Sequence, residues 1–292
     1  MQIESFEQLM RLGAQQPLWR AVLLADCEER QADEAASFER MRAMLRAMRA
    51  ADDGYAPGER SRSGLVGGDG GRMAAYAASG HTVCGPLVCD VIARALKMGE
   101  SNACMKRIVA APTAGACGVL PAVLLSYADA RGADEDALVR ALFVAAGVGQ
   151  VVATRAFIAG AAGGCQAEIG TAAAMAAAAL TDLCGGAPEA AAHAAAMALK
   201  KGIMEADPVL LEPIAALKVT VSDAQIGDVM GELSKRRARI NGMTPDGNGD
   251  QLIDAEIPIA TLYGFGTVLR SLTGGNGSYS YEFLKYEEAP GH

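Results

Sequence analysis

The sequence has 292 residues, a mass of 30.1 kDa, a formal net charge of -8 and a pI near 5.0. That charge argues against generic binding to nucleic acid or to anionic membrane surfaces. Hydrophobic residues make up 51% but aromatics only 5%, and an alanine-rich, aromatic-poor interior suits close-packed helices better than sheets.

The chain begins Met1-Gln2-Ile3-Glu4-Ser5, without the basic region and apolar core of a signal peptide. No apolar run of membrane-spanning length stands out, since Thr171–Leu180 is too short and too rich in alanine. The expectation is a cytoplasmic protein with no membrane contact. Seven cysteines occur, at positions 27, 84, 89, 104, 117, 165 and 184. Their odd number and the lack of any Cys-x-x-Cys spacing point to free thiols or to a metal site gathered from distant loops. Cys27, Cys89 and Cys184 read as small buried hydrophobes.

In chain order, Ser5 to Ala51 reads as one or two helices, with Pro17 suited to a helix start. Asp52 to Gly71 is a glycine-rich loop around Ser63-Gly64-Leu65-Val66-Gly67-Gly68-Asp69. Its backbone N–H groups could hold a carboxylate or phosphate, or it could be a plain surface loop. It is neither a Walker A motif nor a dinucleotide fingerprint, because no Gly-Lys-Ser/Thr follows and no strand precedes it. Helices are expected over about Arg72–Ala78 and Gly85–Met98, with His81 in the turn between them. An apolar run stops at Pro112, and Pro112–Gly118 makes a small-residue turn carrying Thr113, Gly115 and Cys117. A helix then follows over Val119–Tyr127, and Asp134 to Arg140, with Asp134 a plausible N-cap, starts another.

The stretch Ala141–Ala162 is small and apolar. It leads into Gly163-Gly164-Cys165-Gln166-Ala167-Glu168-Ile169-Gly170, which sets a thiol, a carboxamide and a carboxylate within four residues at the mouth of a helix. A helix N-terminus favours the thiolate form of cysteine. Thr171–Leu183 and Glu189–Met204 are expected helices. After Asp207-Pro208 the texture changes. Leu217–Val221 alternates as a strand, Ile226–Ile240 reads as a helix ending in the basic residues Lys235, Arg236, Arg237 and Arg239, and Arg239–Met243 and Gln251–Ile257 read as strands around the turn Pro245–Gly249. A short helix Leu262–Leu272 and a strand Gly277–Tyr286 complete a β-α-β-β-α-β order, a ferredoxin-like sandwich. The expected architecture is an all-α N-terminal domain over 1–205 and an α+β ferredoxin-like (βαββαβ) C-terminal domain over 206–292.

Three motifs carry a resemblance to a known family: Ser63–Gly68, Ala110-Ala111-Pro112-Thr113-Ala114-Gly115-Ala116-Cys117-Gly118, and Gly163–Glu168. Residues 50 to about 200 resemble the α chain of iron–sulfur-dependent L-serine dehydratase (L-serine ammonia-lyase), which converts L-serine to pyruvate and ammonia. The resemblance implies a 4Fe-4S cluster held by three cysteines, with one iron open to the serine hydroxyl and a protein base taking the α-proton. It also implies L-serine as ligand and a β chain or a second copy of the chain as partner. Cys165 is the cluster ligand that maps onto this sequence, with Cys117 a weaker candidate. Ser63, Gly64, Thr113 and Gly115 would line the substrate loops and hold the substrate carboxylate.

Residues from about Lys200 to Pro290 resemble the final part of elongation factor G. The matching stretches are Lys200–Ile214, Gly227–Leu233, Arg236-Arg237, Leu262-Tyr263-Gly264, Leu269–Thr273 and Tyr286–Pro290. That resemblance implies a ferredoxin-like fold that contacts the ribosome; it brings no GTP-binding domain with it, so translocase activity is not implied. The join has a chemical consequence. The dehydratase family continues its last helix into Cys-Asp-Pro, with a further cysteine after it, and both are cluster ligands. Here Ala206 precedes Asp207-Pro208, and no cysteine follows Cys184. Three readings compete: a serine dehydratase α chain, a ribosome-contacting module on a non-catalytic helical domain, and a recombined chain whose halves have no joint function.

Overall fold

The computed structural model describes residues 3–205, 211–246 and 249–290. The chain divides into two compact units, Met1–Asp207 and Pro208–His292, each with its own hydrophobic core.

The first unit is helical. Its N-terminal region forms three helices, where the sequence suggests one or two: α1 (Phe6–Gly13), α2 (Leu18–Arg30) and α3 (Glu34–Asp53). Pro17 stands before α2, and the Asp33 carboxylate caps α3 by accepting the Ala36 N–H at 2.7 Å. Then come α4 (Asp69–Ala78), α5 (Pro86–Ala103), α6 (Val119–Arg131), α7 (Glu135–Arg155), the single turn α8 (Gly160–Gly163), α9 (Cys165–Leu183) and α10 (Pro188–Glu205). Asp134 caps α7 by accepting the Ala137 N–H at 2.6 Å. The helix that starts there runs through Gly147 and Gly149 to Arg155. These glycines are there for close packing: a Cβ on Gly147 would lie 2.6 Å from Val22 Cγ2 of α2, and one on Gly149 would lie 2.9 Å from Met175 Sδ of α9. α7 is long and apolar enough to cross a membrane by length and composition, a feature that the broken sequence pattern conceals, but most of its apolar residues are buried. It is the central helix, packed by α2, α3 and α9.

Two polar clusters fix the α3–α6 neighbourhood. The Arg94 guanidinium of α5 pairs with Asp52 at the end of α3, Asp90 one turn away and Asp129 of α6. The Glu100 carboxylate, only 4% exposed, accepts the Tyr55 hydroxyl at 2.6 Å and the Asp69 and Gly70 N–H groups at 2.6 and 3.3 Å. A carboxylate from α5 thus caps the start of α4.

The second unit is a four-stranded antiparallel sheet: β1 (Leu211–Ser222), β2 (Arg239–Pro245), β3 (Asp250–Pro258) and β4 (Ser278–Glu288), in the order β2-β3-β1-β4. The helices α11 (Ile226–Lys235) and α12 (Phe265–Leu272) connect them in βαββαβ order, the ferredoxin-like arrangement. α11 ends at Lys235, five residues short of the sequence reading, because Arg237 takes φ 63° and turns the chain into β2. The turn at residues 247 and 248 lies outside the described residues, as does the Ala206–Pro208 join. Leu217, Val219, Val221, Ile253 and Ile257 of the sheet close against Val229 and Leu233 of α11 and Phe265 and Leu269 of α12. The alternating Tyr279, Tyr281 and Phe283 of edge strand β4 stand opposite Val219, Leu217 and Ala215. Tyr279 packs edge-on against Phe265 at 5.1 Å, while Tyr281 and Phe283 stay more than half exposed.

Candidate functional site

The Pro112–Gly118 turn and the α8–α9 junction come together in the helical unit. Cys165 is the first residue of α9, so this helix starts six residues before the expected Thr171. Gly164, at φ 83°, turns the chain out of α8 and into α9, a conformation that favours glycine. One turn into α9, the Glu168 carboxylate accepts the Thr113 hydroxyl. The same carboxylate lies against two glycines from different segments. A Cβ on Gly115 would be 2.6 Å from Glu168 Oε2, and a Cβ on Gly160 would be 2.7 Å from that atom and 3.8 Å from Cys165 Sγ. Asn102 of α5 donates to the Ala114 carbonyl at 3.1 Å and fixes the far side of the turn. Thr113, Gly115, Gly160, Cys165 and Glu168 thus form one group, with Gly115 and Cys165 exposed at its mouth and Thr113 and Glu168 half-buried.

The sequence places Glu168 in a motif but assigns it no role. Its pairing with Thr113 spans 55 residues, and no local spacing announces it. Cys117 lies in the same turn but is buried, with its thiol directed at the Met98 carbonyl at 3.8 Å. Burial pushes this thiol up, and the Glu168 charge adds to the rise, so it stays protonated at neutral pH. Cys104 is half-buried at the end of α5 and Cys84 is exposed. Cys89 is buried, as expected of a small hydrophobe, but Cys184 is not: it caps the end of α9 exposed to solvent, 3.7 Å from the Tyr127 hydroxyl.

The Ser63–Gly68 loop is organised around itself. The Ser61 and Ser63 hydroxyls lie 3.1 Å apart, Ser61 Oγ accepts the Val66 N–H at 3.1 Å, and Gly64 turns at φ 73°. Among the described residues no hydrogen bond links Ser63 or Gly64 to Thr113, Gly115 or Cys165. The N–H groups of Asp69 and Gly70, at the helix start that follows this loop, are taken by Glu100, and that of Gly71 donates to the Tyr55 hydroxyl at 2.9 Å. Burial and its bond to Glu100 push the Tyr55 hydroxyl up, which keeps it a donor.

The donor set does not fit a cluster held by three thiolates. Cys165 is the one thiol at the site mouth, Cys117 is turned into the core, and no cysteine follows position 184. Among the described residues no group of three or more Cys, His, Asp or Glu side chains is placed to hold a metal ion. In the second unit the basic run is largely spent on internal pairs. Arg236 binds Glu232 and the carbonyls of Thr261 and Tyr263, Arg237 makes two bonds to Glu212, and Arg239 pairs with Glu256.

Fold and site together define a two-unit protein: a helical scaffold that presents hydroxyl, thiol and carboxylate at one face, and a ferredoxin-like sandwich. Comparison with known proteins gives the family. The model for the serine dehydratase alpha chain matches residues 14–204, and the model for the elongation factor G C-terminus matches residues 209–292. The chain belongs to the serine dehydratase alpha chain family, and its last part is an elongation factor G C-terminal domain. A probable L-serine dehydratase alpha chain from Bacillus subtilis (strain 168) is 38% identical over 220 residues, covering 75% of this chain and 72% of that relative. A crystal structure from Thermus thermophilus aligns with 43% sequence identity and a TM-score of 0.31, over 36% of this chain and 16% of that one.

Proposed function

We propose that the helical unit binds L-serine at the Thr113–Cys165–Glu168 face, and that the chain's own residues do not assemble the iron–sulfur centre needed for dehydration. In this reading it is a serine-recognising member of its family rather than a self-sufficient lyase. The observation that carries the reading is the convergence of Thr113 and Gly115 with Gly160, Cys165 and Glu168 at an open mouth, Thr113 and Glu168 lying 55 positions apart. L-Serine offers an ammonium, a carboxylate and a hydroxyl, and the face supplies acceptor and donor groups for them. The 4Fe-4S cluster, when bound in the family, supplies a Lewis acid for the hydroxyl; here the thiolates to hold it are too few. From the relative's name we also carry over a β-type partner chain, to be sought by co-purification from the native host.

The test joins two measurements on the full chain. Calorimetric titration with L-serine should show saturable binding. Anaerobic treatment with iron and sulfide should leave no visible cluster band, and the treated protein should form no pyruvate from L-serine. A stable cluster band with pyruvate formation overturns the catalytic half of the reading, and absence of L-serine binding overturns the recognition half.

A further inference from the structure

We infer that Glu168 is the specificity-determining residue of this face: its carboxylate pairs with the ammonium of an α-amino acid and so selects amino acids over the matching hydroxy acids. The inference rests on the serine-binding reading above and adds to it the group that reads the ligand. Three observations carry it. First, the carboxylate is held in one place, because Gly115 and Gly160 leave the room it occupies, where a Cβ on either would fall within 2.7 Å of it, while the Thr113 hydroxyl fixes one oxygen. Second, among the described residues no Lys, Arg or His pairs with it, although it is half-buried. Carboxylates withdrawn from water are ordinarily paired with a cation, and here the one donor in contact is neutral. Third, it stands one helical turn from the exposed Cys165, so a cation can reach it from the open side. A fixed, half-desolvated acceptor without a cation is prepared for a small ammonium group, and a neutral hydroxyl donor alone leaves its charge unbalanced.

The anionic parts of a ligand would be repelled by the same carboxylate. The orientation follows: ammonium toward Glu168, carboxylate away from it toward the solvent-exposed side of the Thr113–Gly115 turn. A hydroxy acid such as glycerate, which keeps the carboxylate and hydroxyl but lacks the ammonium, would bind poorly.

The experiment is titration of the full chain with L-serine and with glycerate, for the natural sequence and for Glu168→Gln and Glu168→Asp. Gln keeps the shape and still accepts from Thr113, so a role confined to tethering the turn would survive it. The natural chain should bind L-serine and discriminate against glycerate. Glu168→Gln should lose about tenfold to a hundredfold in L-serine affinity, the range of a charge-assisted hydrogen bond, with no loss for glycerate. Glu168→Asp, which keeps the charge on a shorter arm, should recover part of the preference. If Glu168→Gln binds L-serine as tightly as the natural chain, or if both ligands weaken equally, the assignment of Glu168 is overturned while serine binding stands. If the natural chain binds neither ligand, the serine-binding reading falls first and this inference with it. The unfolding midpoint of each variant, read from Trp19 fluorescence, separates a misfolded variant from one that has lost recognition, and should one variant fail to fold, the other still decides the question.

Discussion

Gly118→Ala puts two physical expectations in direct opposition. Gly118 has φ -81° and ψ -24°, helical values that alanine adopts more readily than glycine. On backbone grounds alone, alanine there should stabilise the chain by about 0.5–1 kcal/mol. Packing predicts the reverse. A Cβ at Gly118 would lie 2.8 Å from the Ala95 carbonyl oxygen, 3.3 Å from its Cα and 3.4 Å from its carbonyl carbon. All three are backbone atoms of α5, so no side chain can rotate away; α5 and α6 must separate. Overpacking of this kind costs about 1–3 kcal/mol, which exceeds the propensity gain. For a unit of this size each kcal/mol moves the unfolding midpoint by about 2–4 °C, so a fall of several degrees is expected. Trp19, the one tryptophan of the chain, lies in α2, and its fluorescence therefore follows the helical unit alone. A midpoint unchanged or raised in Gly118→Ala would refute the packing argument and leave the glycine of this motif without a steric reason.

Two further outcomes follow from polar groups. Glu100→Gln puts an amide in place of one acceptor oxygen among the Tyr55 hydroxyl and the Asp69 and Gly70 N–H groups. It should cost about 1–3 kcal/mol and speed hydrogen exchange at Asp69 and Gly70, while unaltered exchange there would contradict the capping role. Asp182, near the end of α9, has its carboxyl pushed up by burial, with Arg140 opposing the rise. At neutral pH the fold holds ionised a group it would prefer protonated, and this cost disappears as pH falls through the raised pKa. Asp182→Asn should therefore raise the unfolding midpoint at pH 7, and the gain should shrink as pH is lowered; a gain independent of pH would show that the charge is not its origin.

What the sequence reveals and what it hides divide along physical lines. Short-range signals are legible: the Asp134 cap, the alternation of Leu217–Val221, and the strand–helix order of the second unit all depend on near neighbours. Elements that extend through glycine are not, because a glycine demanded by close packing resembles a glycine that breaks a helix. Hence the start of α7 is marked in the sequence but its end is not, because Gly147 and Gly149 sit inside it to admit Val22 and Met175. The site is half legible. Cys165, Thr113 and Gly115 draw notice through their motifs, yet Glu168 gains its place only through partners at positions 113, 115 and 160. The use of the α4 N-terminus by Glu100, a residue about 30 positions downstream, is hidden in the same way.

The proposed split between recognition and chemistry follows from where the contacts lie in the chain. Every side chain and glycine placed at the candidate face falls between positions 113 and 168, on segments anchored to α5, α8 and α9. None of these contacts depends on residues after 205. The ligands that the family resemblance places beyond that point belong to a segment that is here an elongation factor G C-terminal domain, folded around a core of its own. In the proposed reading the thiolates are absent with that segment, while the contacts of Thr113, Gly115 and Gly160 with Glu168 are untouched. A recognition face built from nearby helices can persist through such an exchange. In the proposed reading a cluster whose ligands are spread along the chain would not, because each missing thiolate would leave an iron without its anchor.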